Sequence, residues 1–288
     1  MTEAVGDVLF TGPAAPRMKI IVSHDVDHLY PLEHLKKDLI LEKLWVRSFL
    51  HLCSGKINLK TFLFRLTLLF HKRMHHIDEL MAFDKAHRIP SVFFFGMDNV
   101  LGMSYSREKA TPVIQRVLEA GFDVGVHGVD YQNAEKIQTE HDAFQKISGM
   151  ASFGLRNHYV RFDETTFQKM EQAGYLFDST WFNKKKLEFR SPYKVGKMWE
   201  FPLHIMDGYI CFPGRLKEGL EATQTAIRRA EAEGMPYCTI LFHDTGFDSR
   251  YDPSLKQWYE STILFCQESG YEFISYRDAI RELEENVT

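Results

Sequence analysis

Apolar positions in this chain gather into short blocks rather than spreading evenly. Seven blocks read as buried strands: Lys19–Val22, Ser91–Phe95, Asp123–Val126, Tyr175–Phe177, Met198–Phe201, Tyr237–Phe242 and Tyr271–Ile274. Near-continuous apolar runs of this length suit strands covered on both faces. Between them, apolar residues recur at helical spacing over Thr111–Ala120, Ala134–Ile147, Glu164–Ala173, Leu220–Glu233 and Pro253–Ser269. These helices run into Gly121, Gly149, Gly174, Gly234 and Gly270, where a left-handed cap is expected. Alternation of strand and helix predicts a parallel sheet with crossover helices, as an open doubly wound sheet or a barrel. No repeat or low-complexity linker interrupts it, so one domain over 1–288 is expected.

One stretch breaks the rhythm. A helical insert at about 31–80 separates the first two strands. Its segment from His34 to Arg73 carries nine Lys or Arg against Asp38 and Glu42, interleaved with Trp45, Phe49, Phe62, Phe64 and several leucines. Two readings fit: amphipathic helices packed on the barrel or on a second subunit, or a basic apolar surface making peripheral contact with an anionic membrane or a lipid-linked substrate. His71 and His75 have helical spacing but basic neighbours, and are expected in solvent, as are Asp98 and Asp248.

Composition narrows the function. The formal charge is −4 and the pI about 6.4, which argues against general nucleic-acid binding. The opening Met1–Asp7 has acidic residues where a secretory signal would be basic, and no run is long enough to span a bilayer. A cytoplasmic protein is expected, with contact at the inner membrane an option. Cys53, Cys211, Cys238 and Cys266 form no C-x-x-C pair and read as reduced, mostly buried thiols. Any metal must therefore use oxygen and imidazole.

The chemistry concentrates after the first strand, in Ser23-His24-Asp25-Val26-Asp27-His28. Asp25 and Asp27 share one face of an extended chain, and carboxylates held that close call for a proton or a cation between them. Three later stretches carry compatible groups: Val126-His127-Gly128-Val129-Asp130-Tyr131, Leu155-Arg156-Asn157-His158 with Phe177-Asp178-Ser179-Thr180-Trp181 downstream, and Leu241-Phe242-His243-Asp244. Strand ends in parallel α/β folds face one crevice, so Asp25, Asp27, His127, Arg156, Asp178 and His243 can converge there.

In these pieces the chain resembles the polysaccharide deacetylases of carbohydrate esterase family four, from residue 18 to residue 245. It is most similar to a divergent branch associated with lipopolysaccharide O-antigen synthesis, through Gly-x-Arg-x-His-Tyr, Phe-Asp-Ser-Thr, Glu200-Phe201-Pro202 and Leu-Phe-His-Asp. The resemblance implies a distorted (β/α) barrel of about seven strands, and a divalent metal, most often zinc. It also implies roles: Asp25 as general base, Asp27 and His127 as metal ligands, Arg156 orienting the base, and His243 as general acid held by a carboxylate such as Asp178. The family's second metal histidine falls on Tyr131, so one ligand is unassigned. His28 and Asp130 are candidates, as is His158; His24 and His141 are weaker ones. His158 and Trp181 are also candidate substrate contacts.

The expected activity is metal-dependent hydrolysis of an N-acetyl group on an amino sugar, nucleotide- or lipid-linked, in bacterial surface-polysaccharide synthesis. The alternatives are a metal-free homologue that binds glycans or acts as a scaffold, and a hydrolase of another amide such as an N-formyl group or a cyclic ureide. Oligomeric state is left open.

Overall fold

Nine strands form one curled sheet: β1 (Lys19–Val26), β2 (Val92–Gly96), β3 (Asp123–Gly128), β4 (Gly154–Asn157), β5 (Phe177–Asp178), β6 (Tyr193–Val195), β7 (Met198–Glu200), β8 (Ile205–Met206) and β9 (Tyr237–Leu241). The computed structural model describes residues 17–34 and 40–285, with 40–43 as backbone alone. The expectations for Met1–Asp7 and for Lys36, Lys37 and Asp38 thus lie outside the described residues. Strand order is β6-β7-β5-β4-β3-β2-β1-β9-β8, parallel throughout except β6 against β7. The result is a half-barrel rather than a closed ring, with β6 and β8 as its edges.

Six of the seven expected runs become strands. Tyr271–Ile274 makes only an isolated bridge, Phe273 against Ile20. The short strands β4, β6 and β8 have too few apolar residues to stand out in the sequence. Strand β4 exists because glycines admit neighbouring rings. A Cβ on Gly154 would lie 2.2 Å from the Phe177 ring, and one on Gly125 would lie 2.7 Å from Phe94. The five glycines expected as helix caps all have positive φ, between 71° and 94°.

The two-residue period of the strands sorts the core. Ile21, Val92, Phe94, Phe177, Trp199, Phe201 and Tyr237 point into the barrel, where Tyr276 and Ala279 of the helix Tyr276–Glu285 close the bottom. The alternating set, including Ile20, Val22, Phe93, Phe95, Val124, Val126 and Leu155, faces the helices and joins the larger core. Each large side chain buried this way contributes roughly 1.5–3 kcal/mol. Continuing the inward set toward the strands' carboxyl ends brings Asp25, His127, Arg156 and His243 to one mouth.

The insert contains helices Ile40–Cys53 and Leu59–Leu66, followed by Ile77–Ala86. His75 departs from expectation. Met74 donates its N–H to the Leu29 carbonyl at 2.9 Å, drawing the chain onto the loop after β1, and His75 is buried there beside Tyr30. Burial lowers its pKa to about 4. Asp248, expected in solvent, is also buried, paired with Arg250 and 3.3 Å from His76 Nε2.

Candidate metal centre

Asp27, His127 and His158 each offer a ligand atom, and these atoms lie within 4.8 Å of one another. Asp27 extends the inward face of β1. His127 is the penultimate residue of β3, in register with Arg156 on β4. His158 follows β4 and is followed by two residues in the left-handed region, Tyr159 (φ 58°) and Val160 (φ 46°). For a β-branched residue this is an outlier that costs energy, and such strain is retained where the surrounding structure needs the geometry. Asn157 holds the turn, its N–H donating to Thr180 Oγ1 at 2.9 Å and its side-chain amide to the Arg161 carbonyl at 2.9 Å.

Each ring's outer nitrogen fixes what its inner nitrogen can do. His127 Nδ1 donates to the Arg156 carbonyl at 2.9 Å, and His158 Nε2 donates to the Leu101 carbonyl at 3.2 Å. His127 Nε2 and His158 Nδ1 therefore turn lone pairs toward each other, 3.1 Å apart. Asp27 Oδ1 is 3.3 Å from both nitrogens, yet it is buried without a hydrogen bond. Two imidazole lone pairs and an orphaned carboxylate oxygen on one point are a donor set that a divalent cation fits.

Asp25 stands beside this cluster, its Oδ2 3.7 Å from His127 Nε2. Its Oδ1 accepts from Arg156 Nη1 at 3.0 Å. Arg156 is wholly buried and fixed on every side: Nε donates to the Ser179 carbonyl, Nη2 meets Ser179 Oγ and Tyr276 Oη, and the guanidinium lies over Phe94. Across the mouth, His243 Nδ1 is 2.8 Å from Asp207 Oδ1, and the His243 N–H donates to Asp207 Oδ2 at 2.8 Å. His243 Nε2 points toward the cluster, 3.8 Å from Asp27 Oδ2. The protein surroundings disfavour charge on this ring, but Asp207, with Asp27 and Asp25 beyond it, raises its pKa to about 10.

The structure therefore brings together Asp25, Asp27, His127, Arg156, His158 and His243. It does not bring in the other candidates. Asp178 lies on the opposite face of β5 from the inward Phe177, in register with Glu200 on β7. Burial raises both carboxyls, Glu200 the further, and Asp178 accepts from Thr180 instead of His243. Asp130 is spent on its own turn, accepting from the N–H groups of Gln132 and Asn133 at 2.8 and 2.7 Å. His28 packs its ring 4.6 Å from His34 and is not part of the cluster. His24 faces the helices and bonds Asp84, while His141 stacks on Phe153. Asp207 was not foreseen. Its only signal is a carboxylate following Ile205-Met206, which lie one strand from Ile240-Leu241.

Trp181 is buried, with the Arg190 guanidinium 4.0 Å from its ring. It also lines a cleft of about 440 Å³ with Tyr131, Arg161, Phe162, Phe182 and Lys184. Among the described residues no carboxylate pairs with Arg161 or Lys184.

No family model matches the chain, and no curated protein matches it significantly. Solved structures do. A proposed polysaccharide deacetylase from Mycobacterium smegmatis superposes with a TM-score of 0.63 at 14% identity, over 97% of this chain and 94% of its own. A probable polysaccharide deacetylase from Pseudomonas aeruginosa PAO1 gives 0.57 at 13% identity, over 93% and 91%. The chain has the polysaccharide-deacetylase fold. At this identity the likeness concerns the fold, and the chemistry rests on the residues of this chain.

Proposed function

We propose that the protein is a metal-dependent hydrolase that removes an N-acetyl group from an amino sugar. The observation that carries the reading is the convergence of Asp27, His127 and His158 between the Asp25–Arg156 and His243–Asp207 pairs. Asp27, His127 and His158 would hold a divalent cation, zinc first among the candidates, which would supply Lewis acidity and lower the pKa of a bound water. Asp25 is aimed by Arg156 and takes the proton of the attacking water. His243, kept charged by Asp207, gives a proton to the amine nitrogen as the C–N bond breaks. A carboxylate base and an imidazolium acid on opposite sides of one centre meet the requirement for opposed protonation states.

The aromatic cleft, whose three cations Arg161, Lys184 and Lys185 pair with no carboxylate among the described residues, favours a sugar that carries an anionic group. The motif order makes a nucleotide- or lipid-linked precursor of a bacterial surface polysaccharide such as O-antigen the first class to test. Incubation of the zinc- or cobalt-loaded protein with such N-acetylated sugars should release free acetate, and Asp25→Asn should abolish it. Failure to retain either metal would instead favour a metal-free glycan-binding protein. Metal retention with no acetate from any amino sugar would point to another amide.

A further inference from the structure

The insert presents a second surface, independent of the hydrolase reading. Seven of the chain's 35 Lys and Arg and none of its 39 Asp and Glu fall between residues 43 and 73, so this segment carries +7 while the rest of the chain carries −11. The same segment holds six of the fourteen exposed large apolar side chains among the described residues: Val46, Phe49, Leu50, Leu59, Leu63 and Phe70, each more than half exposed.

These residues are ordered. Val46, Phe49 and Leu50 follow i, i+3, i+4 spacing on the helix Ile40–Cys53, and Leu59, Phe62 and Leu63 repeat it on Leu59–Leu66. Phe49 and Phe62, with ring centres 6.4 Å apart, join the two stripes. The opposite face is anchored by polar contacts. Arg65 is 3% exposed and donates to the Tyr251 carbonyl at 2.8 Å and to Asp252 Oδ2 at 3.3 Å. Asp252 in turn caps the helix Pro253–Glu268. The hairpin is thus held to the rest of the protein by its buried ion pair, with its apolar stripes turned out.

Exposed apolar surface on this scale marks an interaction site. A second copy docking hairpin to hairpin would set the exposed Arg47, Lys56, Lys60 and Lys72 of one copy against those of the other, which like-charge repulsion opposes. An anionic bilayer satisfies both features: the apolar stripes enter the acyl boundary while Arg47, Lys56, Lys60 and Lys72, all exposed, meet lipid phosphates. Among the described residues no helix is long and apolar enough to cross a membrane, so the contact is peripheral. We infer that the hairpin of residues 43–73 seats the protein flat on an anionic phospholipid bilayer.

The test is co-sedimentation of the full chain with vesicles of phosphatidylcholine alone or with about one third phosphatidylglycerol. The chain should bind the second and be released by added salt. Leu50→Ser/Leu63→Ser and Lys56→Glu/Lys60→Glu should each lower the partition coefficient about tenfold or more, with unchanged melting temperatures because all four positions are exposed. Absence of binding to the anionic vesicles, or binding that neither double variant weakens, would overturn the inference. So would a concentration-dependent dimer, abolished by the serine variant, in a protein that ignores vesicles.

Discussion

His127 Nε2 faces His158 Nδ1 across 3.1 Å, and both rings commit their other nitrogen to a backbone carbonyl. Two lone pairs cannot hydrogen-bond each other. With Asp27 Oδ1 against both, the pair is stable only if a proton or a cation joins them.

Metal retention should follow that geometry. Asp27→Ala, His127→Ala and His158→Ala should each weaken binding of zinc or cobalt by at least about a hundredfold, since loss of an outer partner alone costs 10–100-fold. His28→Ala and Asp130→Ala should retain the metal. Elemental analysis after loading and dialysis reads both sets, and metal retained by His158→Ala would exclude that residue as a ligand.

Asp207 should govern the alkaline limit of activity. The Asp207 carboxylate against Nδ1 raises the pKa of His243. In Asp207→Asn the ring should lose its proton at lower pH, so the basic limb of the kcat profile should move down. A profile that keeps its alkaline limb would remove His243 from the role of acid.

The Asp25–Arg156 pair should show its worth only when half of it is removed. Arg156→Met leaves a buried carboxylate without its cation and should cost about 3–5 kcal/mol in urea unfolding. Adding Asp25→Asn should restore part of that stability. Simple additivity of the two substitutions would show that the pair is not coupled.

His204 makes stability depend on acid. Its Nδ1 accepts the Thr239 N–H and its Nε2 donates to the Arg190 carbonyl, a pattern that suits the uncharged ring. Burial lowers its pKa to about 4 from 6.5. The depressed value means the unfolded chain takes up the proton first, so this stability is complete above pH 6.5 and is lost as the pH falls toward 4. His204→Gln should flatten the slope of stability in that window by up to about 1.4 kcal/mol per pH unit. Identical slopes for the two proteins would contradict the assignment.

The membrane hairpin adds an arrangement that composition shows only in outline. A basic apolar segment is visible in the sequence, but which side of each helix turns outward is not. The buried Arg65–Asp252 pair, 187 residues apart, decides it by taking the polar side inward.

Much of the centre was legible from local pattern. A strand's two-residue period and the parallel sheet's common end are enough to place Asp25, Asp27, His127, Arg156 and His243 together. The same period explains why Asp178 is elsewhere: Phe177 takes the inward position, so its neighbour cannot. Applying that parity to Phe177 in the sequence would have excluded Asp178.

What the amino-acid order determined by itself is the set of inward positions, because side-chain alternation and strand direction are local properties of the backbone. What only the tertiary structure decided is which groups meet beyond the strand ends. His158 reaches Asp27 through a left-handed turn at Tyr159 and Val160, and Asp207 reaches His243 because β8 lies beside β9. Both depend on packing between distant segments, where the energy of the whole fold outweighs the preference of any single residue.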